Sequence, residues 1–244
     1  YNAAILAFRQ ALSGERQLES DLGQAINYAT NRQEFVDTIV EGRGEVATSV
    51  VAKTVPGWNE DVKPYPQDLE KAKELLAEAG YENGLDLKMY VSGEVRSRAA
   101  QVVQAQLAQV GINVDINVYE WGAFQDAINA GEHDLLILGW VNTTCDPAYS
   151  VTQLFHSRNC GMSGNRAYLK DDKVDEMIDA AAVETNQEKR LQIYKDLQVR
   201  LNELCPWVPL YYKYSMVGRR SDLKGFKFNK NTSFHYLGDC YYEK

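Results

Sequence analysis

Between Leu85 and Gly139 the hydrophobic period of the chain switches back and forth between two and about 3.6, and few folds accept that pattern. Leu85, Leu87, Met89 and Val91 alternate with Asp86, Lys88 and Tyr90, which predicts a strand with one apolar face after the Asn83-Gly84 turn. Helix 97–110 follows, burying Ala99, Val102, Val103, Leu107 and Val110, and Gly111 ends it. Ile112, Val114, Ile116 and Val118 make a second alternating strand, and residues 122–130 a short amphipathic helix. The third strand, 134–139, holds the uninterrupted apolar run Leu135–Leu138. Strands joined by helices of this length must lie parallel, through right-handed crossovers. The predicted class is therefore α/β, a mostly parallel sheet flanked by helices, with the third strand the most interior because it is apolar on both faces.

That topology carries a functional expectation. In open parallel sheets ligands bind outside the carboxyl ends of the strands. Three loops leave those ends: Ser92–Arg98, Glu120–Trp121 and Trp140–Pro147. Ser92, Arg96, Trp121, Trp140, Thr143 and Asp146 are thus gathered at one edge, with Asn142 in the last loop. A buried strand that ends in a Trp and small polar side chains suggests a recognition loop. The two tryptophans would give a ligand an apolar or stacking wall, the alternative being plain core. Arg96 lies at a helix start, where a cation gains nothing from the helix dipole; it is either a surface charge or an anion anchor.

The flanking segments read as helix over 2–12, helix over 20–41 and an extended, proline-rich loop over 43–67. A helix capped by Asp68 runs to Gly80. Beyond the recognition loop come a short helix over 148–157, a Gly-rich turn and helices 172–184 and 187–204, the last introduced by a Thr185–Glu188 capping box. A mixed-pattern strand, WVPLYYKYSMVG, follows, and residues 219–244 have no regular pattern.

With 244 residues the chain has room for one large or two small domains, and its net charge of -8 argues against nucleic acid. No apolar run approaches the ~20 residues that span a bilayer. The four cysteines form no CxxC pair, which argues against structural zinc. Cys145 and Cys160 flank a short loop where a disulfide would be worth ~3 kcal/mol; four free thiols is the other reading. His133 reads as a solvated turn residue. HExxH, GxSxG, GxGxxG and Walker-type sequences do not occur. Asp146 and Glu120 could form an acid–base pair, which leaves a small α/β hydrolase as a rival, but no spacing supplies a nucleophile with an orienting partner.

Several segments, in order over most of the chain, resemble one family. QAINYATNRQEFVDTIVEGRGEVATS is similar to a helix and loop of the extracytoplasmic solute-binding proteins of ABC importers, in the family that binds peptides and nickel. DLEKAKELLAEAGYENG looks like its KAK-LL-EAGY segment. QLAQVGINVDINVYEW, AGEHDLLILGW and the Asp146-Pro147 pair follow its series, and KRLQIYKDLQVRL before CPWVPLYY resembles its closing helix and strand.

The resemblance implies one lobe of a two-lobed, type II periplasmic-binding-protein-like fold. Residues 1–208 would be the second lobe, and 209–244 a segment returning to a first lobe that is not present, mobile or in contact with other copies in its absence. The implied role is that of a substrate-binding component that delivers an oligopeptide-like solute to ABC permease subunits. The implied location is outside the cytoplasm, in the periplasm or as a membrane-anchored lipoprotein. No enzymatic activity, cofactor or metal is implied, and a ligand-sensing receptor domain is the alternative use of such a lobe. Trp121 and Trp140 match pocket-lining tryptophans of oligopeptide-binding relatives. Thr143 stands where peptide binders place an Asp for the α-amino group. The position at which dipeptide binders carry a carboxylate-binding Arg falls near Tyr90, with no Arg nearer than Arg96. Both charged anchors are therefore missing or moved.

Overall fold

A strand that is apolar on both sides needs a helical layer on each face, and the chain supplies two. The computed structural model describes residues 2–9, 16–161, 164–228 and 237–243. Six strands form one sheet: β1 (Asn2–Phe8), β2 (Gly44–Val46), β3 (Leu85–Val91), β4 (Ile112–Val118), β5 (Leu135–Val141) and β6 (Trp207–Lys213), in the order β2-β6-β1-β5-β3-β4. The β3–β4 pair is parallel from Leu85↔Ile112 to Val91↔Val118, and β3 pairs in parallel with β5 at Met89↔Leu135. β1 is antiparallel to both β5 and β6, and β2 is antiparallel to β6. Hence β3, β4, β5 and β6 all point one way, and their carboxyl ends share an edge.

Helices α1 (Arg16–Ala29), α2 (Arg32–Thr38), α3 (Leu69–Glu78) and α4 (Glu94–Ala108) cover one face. Their apolar stripes, including Leu22, Ile26, Phe35, Leu76 and Leu107, pack on Leu87, Met89, Ile137 and Leu210. Helices α5 (Trp121–Ala130), α6 (Pro147–Phe155), α7 (Asp172–Val183) and α8 (Gln187–Leu204) cover the other. There Phe124, Phe155, Ile178, Tyr194 and Leu201 pack on Ile5, Tyr90, Leu136 and Leu138. The result is a three-layer α/β/α stack.

Several sequence expectations need correcting. Residues 2–8 form the strand β1 and not a helix, and 10–12 lie outside the described residues. Leu6 and Phe8 enter one core while Ile5 and Ala7 enter the other. A strand buried on both faces shows no alternation, so its Ala- and Leu-rich composition imitates a helix. The helix expected over 20–41 is two helices, because Asn31 caps α2 by accepting from the Gln33 and Glu34 N–H groups. The cap of α8 is Asn186, which accepts from the Lys189 N–H, one residue beyond the expected Thr185. Trp207–Lys213 is one continuous strand with Leu210 and Tyr212 fully buried, so the exposed tail starts after Lys213. Within it Leu223–Lys224 and Tyr241–Tyr242 pair as a two-stranded ribbon, β7 half-buried and β8 exposed.

Candidate functional site

At the edge where β3, β5 and β6 end, the backbone opens into a cavity of about 440 Å³. Its walls are Ser92–Arg96 from the β3–α4 turn, Ile137–Gly139 and Val141 from β5, and Tyr211 and Lys213 from β6. Gly93 makes the turn possible: it sits at φ +86 and opens α4 without a side-chain cap. The first N–H groups of α4 therefore have no side-chain partner at Gly93 as they meet the cavity. Arg96 donates to the Ser92 carbonyl at 2.8 Å, and its guanidinium lies 5.5 Å over the ring of Trp121. Partial burial pulls the Arg96 pKa down, while the nearby Tyr211 hydroxyl works against that pull. Trp121 itself is 50% exposed and packs on Phe124, so it forms a rim and not a floor. Two cations, Arg96 and Lys213, and one carboxylate, Glu94, thus border a wall of apolar side chains and backbone to which Ser92 and Tyr211 add hydroxyls.

The recognition loop is organised differently. Trp140 stacks on Tyr149 with ring centroids 5.4 Å apart and donates its indole N–H to the Ser150 hydroxyl at 3.2 Å. Asn142 donates to that same hydroxyl (3.0 Å) and to the Asp146 carbonyl (2.7 Å). Thr144 donates to the Asn142 side-chain oxygen and accepts from the Asp146 N–H, each at 3.2 Å. Asp146 caps α6 through the Ala148 N–H at 2.8 Å and is gripped by both terminal nitrogens of Arg190, at 2.8 and 3.0 Å. The Arg190 hydrogen bonds hold the Asp146 carboxyl below its usual range.

The seven expected residues thus reach the same edge in two groups. Ser92 and Arg96 line the cavity and Trp121 stands beside Arg96. Trp140, Asn142 and Asp146 are bonded within the loop, with Thr143 half-buried among them, and none of these four lines the cavity. The sequence reading missed Gly139, Val141, Tyr211 and Lys213. The last two were out of reach because β6 had no assigned place in the sheet. His133 is also corrected: it is fully buried, with its ring Nε2 bonded to the Arg166 carbonyl at 2.9 Å. All four cysteines are free thiols, so Cys145 and Cys160 are not bridged. Among the described residues no cluster of three or more His, Cys, Asp or Glu side chains could hold a metal ion.

The chain thus combines an open cavity at the carboxyl edge of its sheet with a loop carboxylate committed to an arginine. Residues 20–161 match the bacterial extracellular solute-binding proteins, family 5 (middle region), and the chain belongs to that family. It is 31% identical over 209 residues to heme-binding protein A of Haemophilus influenzae, covering 83% of this chain and 38% of that protein. It is 28% identical over 219 residues to the dipeptide-binding protein of Escherichia coli, covering 87% and 41% respectively. Among solved structures, an ABC transporter-associated periplasmic binding protein from Helicobacter pylori in complex with the peptide STSA superposes with a TM-score of 0.86 at 31% identity. HbpA2 from Haemophilus parasuis superposes at 0.90 with 26% identity. Both superpositions cover 100% of this chain and 47% and 48% of the solved ones. The chain thus spans less than half the length of these relatives.

Proposed function

We propose that this chain is the second lobe of the substrate-binding component of an ABC importer, acting outside the cytoplasm, in the periplasm or anchored to the membrane as a lipoprotein. The solute is oligopeptide-like and passes to permease subunits. The observation that carries this reading is the open cavity at the carboxyl edge, bordered by Arg96 and Lys213 and faced by Val95, Val141 and Tyr211. Such a wall suits a peptide backbone with apolar side chains and a negatively charged end. A second lobe closing over it would strengthen these contacts by expelling water. The peptide-binding relatives support the same ligand class. Thr143 offers no charge to a free α-amino group, and Asp146 is already paired, so binding through a loop carboxylate has no place in this reading.

Calorimetry on the full-length protein with the tetrapeptide Ser-Thr-Ser-Ala and its carboxyl-terminal amide tests the proposal. A charge-assisted hydrogen bond is worth about 1.5–3 kcal/mol, so the amide should bind about ten-fold to a hundred-fold more weakly. Arg96→Gln should remove most of that preference. Absence of any peptide from the purified protein and no heat with either probe would reject the reading.

A further inference from the structure

We propose that Arg190 on α8 is a positioning residue that latches the loop between β5 and α6, and with it Trp140, in its ligand-ready form. On this view Asp146 serves the site through that latch and does not touch the ligand. The proposal rests on the reading that this loop belongs to the ligand site.

Three observations converge. First, the loop holds an unfavourable backbone: Cys145 sits at φ +56, a region that residues with a Cβ seldom occupy. Something must hold it there. The bonds among Asn142, Thr144, Asp146 and Ser150 join the loop only to its own helix α6 and fix nothing relative to α8. Second, Arg190 comes from a different element, 44 residues further along, and meets Asp146 in a two-pronged geometry. A planar guanidinium gripping a carboxylate this way fixes direction as well as distance. Third, Arg190 is itself held. Its guanidinium lies 5.0 Å over the ring of Tyr194 and donates to the Tyr194 hydroxyl at 3.3 Å. Tyr194 is fully buried in the core that anchors α8. The fixed reference of the helical layer is thereby carried into the loop.

The same geometry answers what Asp146 is for. One carboxylate oxygen accepts from the Ala148 N–H and from Arg190, and the other accepts from Arg190. A ligand ammonium would have to displace a guanidinium that Tyr194 keeps in place.

Amide hydrogen exchange on the unliganded full-length protein tests the latch before any ligand is added. Arg190→Gln should speed exchange of the Asp146, Ala148 and Tyr149 amides about ten-fold or more, and leave α3 unchanged. Asp146→Asn keeps a capping side chain but loses the charge pair, so it should loosen the same amides and serves if Arg190→Gln does not fold. Arg190→Lys, a point charge without the fork, should restore protection only in part. Unchanged exchange in this loop overturns the latch. Affinity for Ser-Thr-Ser-Ala then separates the two roles of Asp146. A latch predicts the same loss, about ten-fold, for Arg190→Gln, Asp146→Asn and the double variant. A larger loss for Asp146→Asn than for Arg190→Gln, with the double variant weaker still, means that Asp146 touches ligand and overturns the proposal. Loosened amides with unchanged affinity overturn instead the loop's place in the ligand site.

Discussion

His133 lies in the turn between α5 and β5 with its ring wholly out of water and its Nδ1 unpartnered among the described residues. Burial, opposed by the hydrogen bond to the Arg166 carbonyl, lowers its pKa to about 4. The unfolded chain takes up a proton near pH 6.5, the folded chain only near pH 4, so protons favour unfolding between those values. Stability is therefore complete above pH 6.5 and falls by up to about 3 kcal/mol as pH drops through that window. Urea unfolding at pH 7.5 and 5.0 should show the loss, and His133→Gln should flatten it. Identical slopes in the two proteins would show that His133 is not the group responsible. Two glycines give a paired test of packing at the same scale. A Cβ on Gly23 would sit 2.5 Å from the Cys205 carbonyl oxygen, where α1 meets the end of α8, whereas a Cβ on Gly122 meets nothing within 4 Å. Gly23→Ala should cost about 1–3 kcal/mol, since backbone cannot yield as a side chain can. Gly122→Ala, in the helix α5, should be neutral or stabilising by up to about 1 kcal/mol. Thermal unfolding of the two variants decides, and equal melting points would contradict the argument.

At the scale of elements, one hydroxyl of the sheet ties down the start of the long loop between β2 and α3, beside the bonds that Gln198 of α8 makes to it. Tyr212 in β6 donates to the Ser49 carbonyl at 2.6 Å and accepts from the Ser49 N–H at 3.1 Å, all within the buried interior. Tyr212→Phe leaves both backbone groups of Ser49 short of a partner. We expect a loss of about 1–3 kcal/mol, with exchange rising at residues 47–55 before it rises in β6. Uniform loosening of β6 would argue instead for a packing defect. The elements differ in how far the sequence announced them, for physical reasons. β3 and β4 were legible because one face of each is polar enough to show the period of two. α3 was legible because Asp68 caps it, accepting from the Lys71 N–H, and Gly80 follows. β1 was not, because contact with two cores erases alternation. β6 was read as a strand, but misreading its partner β1 hid its place in the sheet, and with it Tyr211 and Lys213 on the cavity wall. The edge itself followed from the parallel crossovers, but which residues open into the cavity depends on how each strand and loop turns at its end. That is why Trp140 and Arg96 share an edge without sharing a cavity. The Arg190–Asp146 pair is non-local, and no local pattern marks it.

For the whole molecule, the decisive contrast lies on either side of Lys213. Before it, β6 is wedged between β2 and β1 with Val208, Leu210 and Tyr212 buried. After it, Met216 is 63% exposed and Tyr241 and Tyr242 are each 61% exposed. We propose that this apolar surface is covered by another lobe, in keeping with the proposed function. The contrast makes opposite demands on two truncations. Removing residues 214–244 takes away little that the sheet uses, so the shortened chain should keep its cooperative unfolding and a midpoint within a few degrees, at about 2–4 °C per kcal/mol for a domain of this size. Removing residues 206–244 strips β6 from the middle of the sheet and leaves β1 and β2 without their shared partner. Each large side chain re-exposed there costs about 1.5–3 kcal/mol, against a total stability of about 5–15 kcal/mol, so that chain should not fold cooperatively. Circular dichroism melts of both products measure the difference. Should the first truncation unfold as readily as the second, the tail would be part of this lobe and the boundary at Lys213 would be wrong. Should it stay folded, and if another lobe covers the tail as proposed, the tail's amides should exchange more slowly in a chain that carries that lobe than in the 244 residues alone.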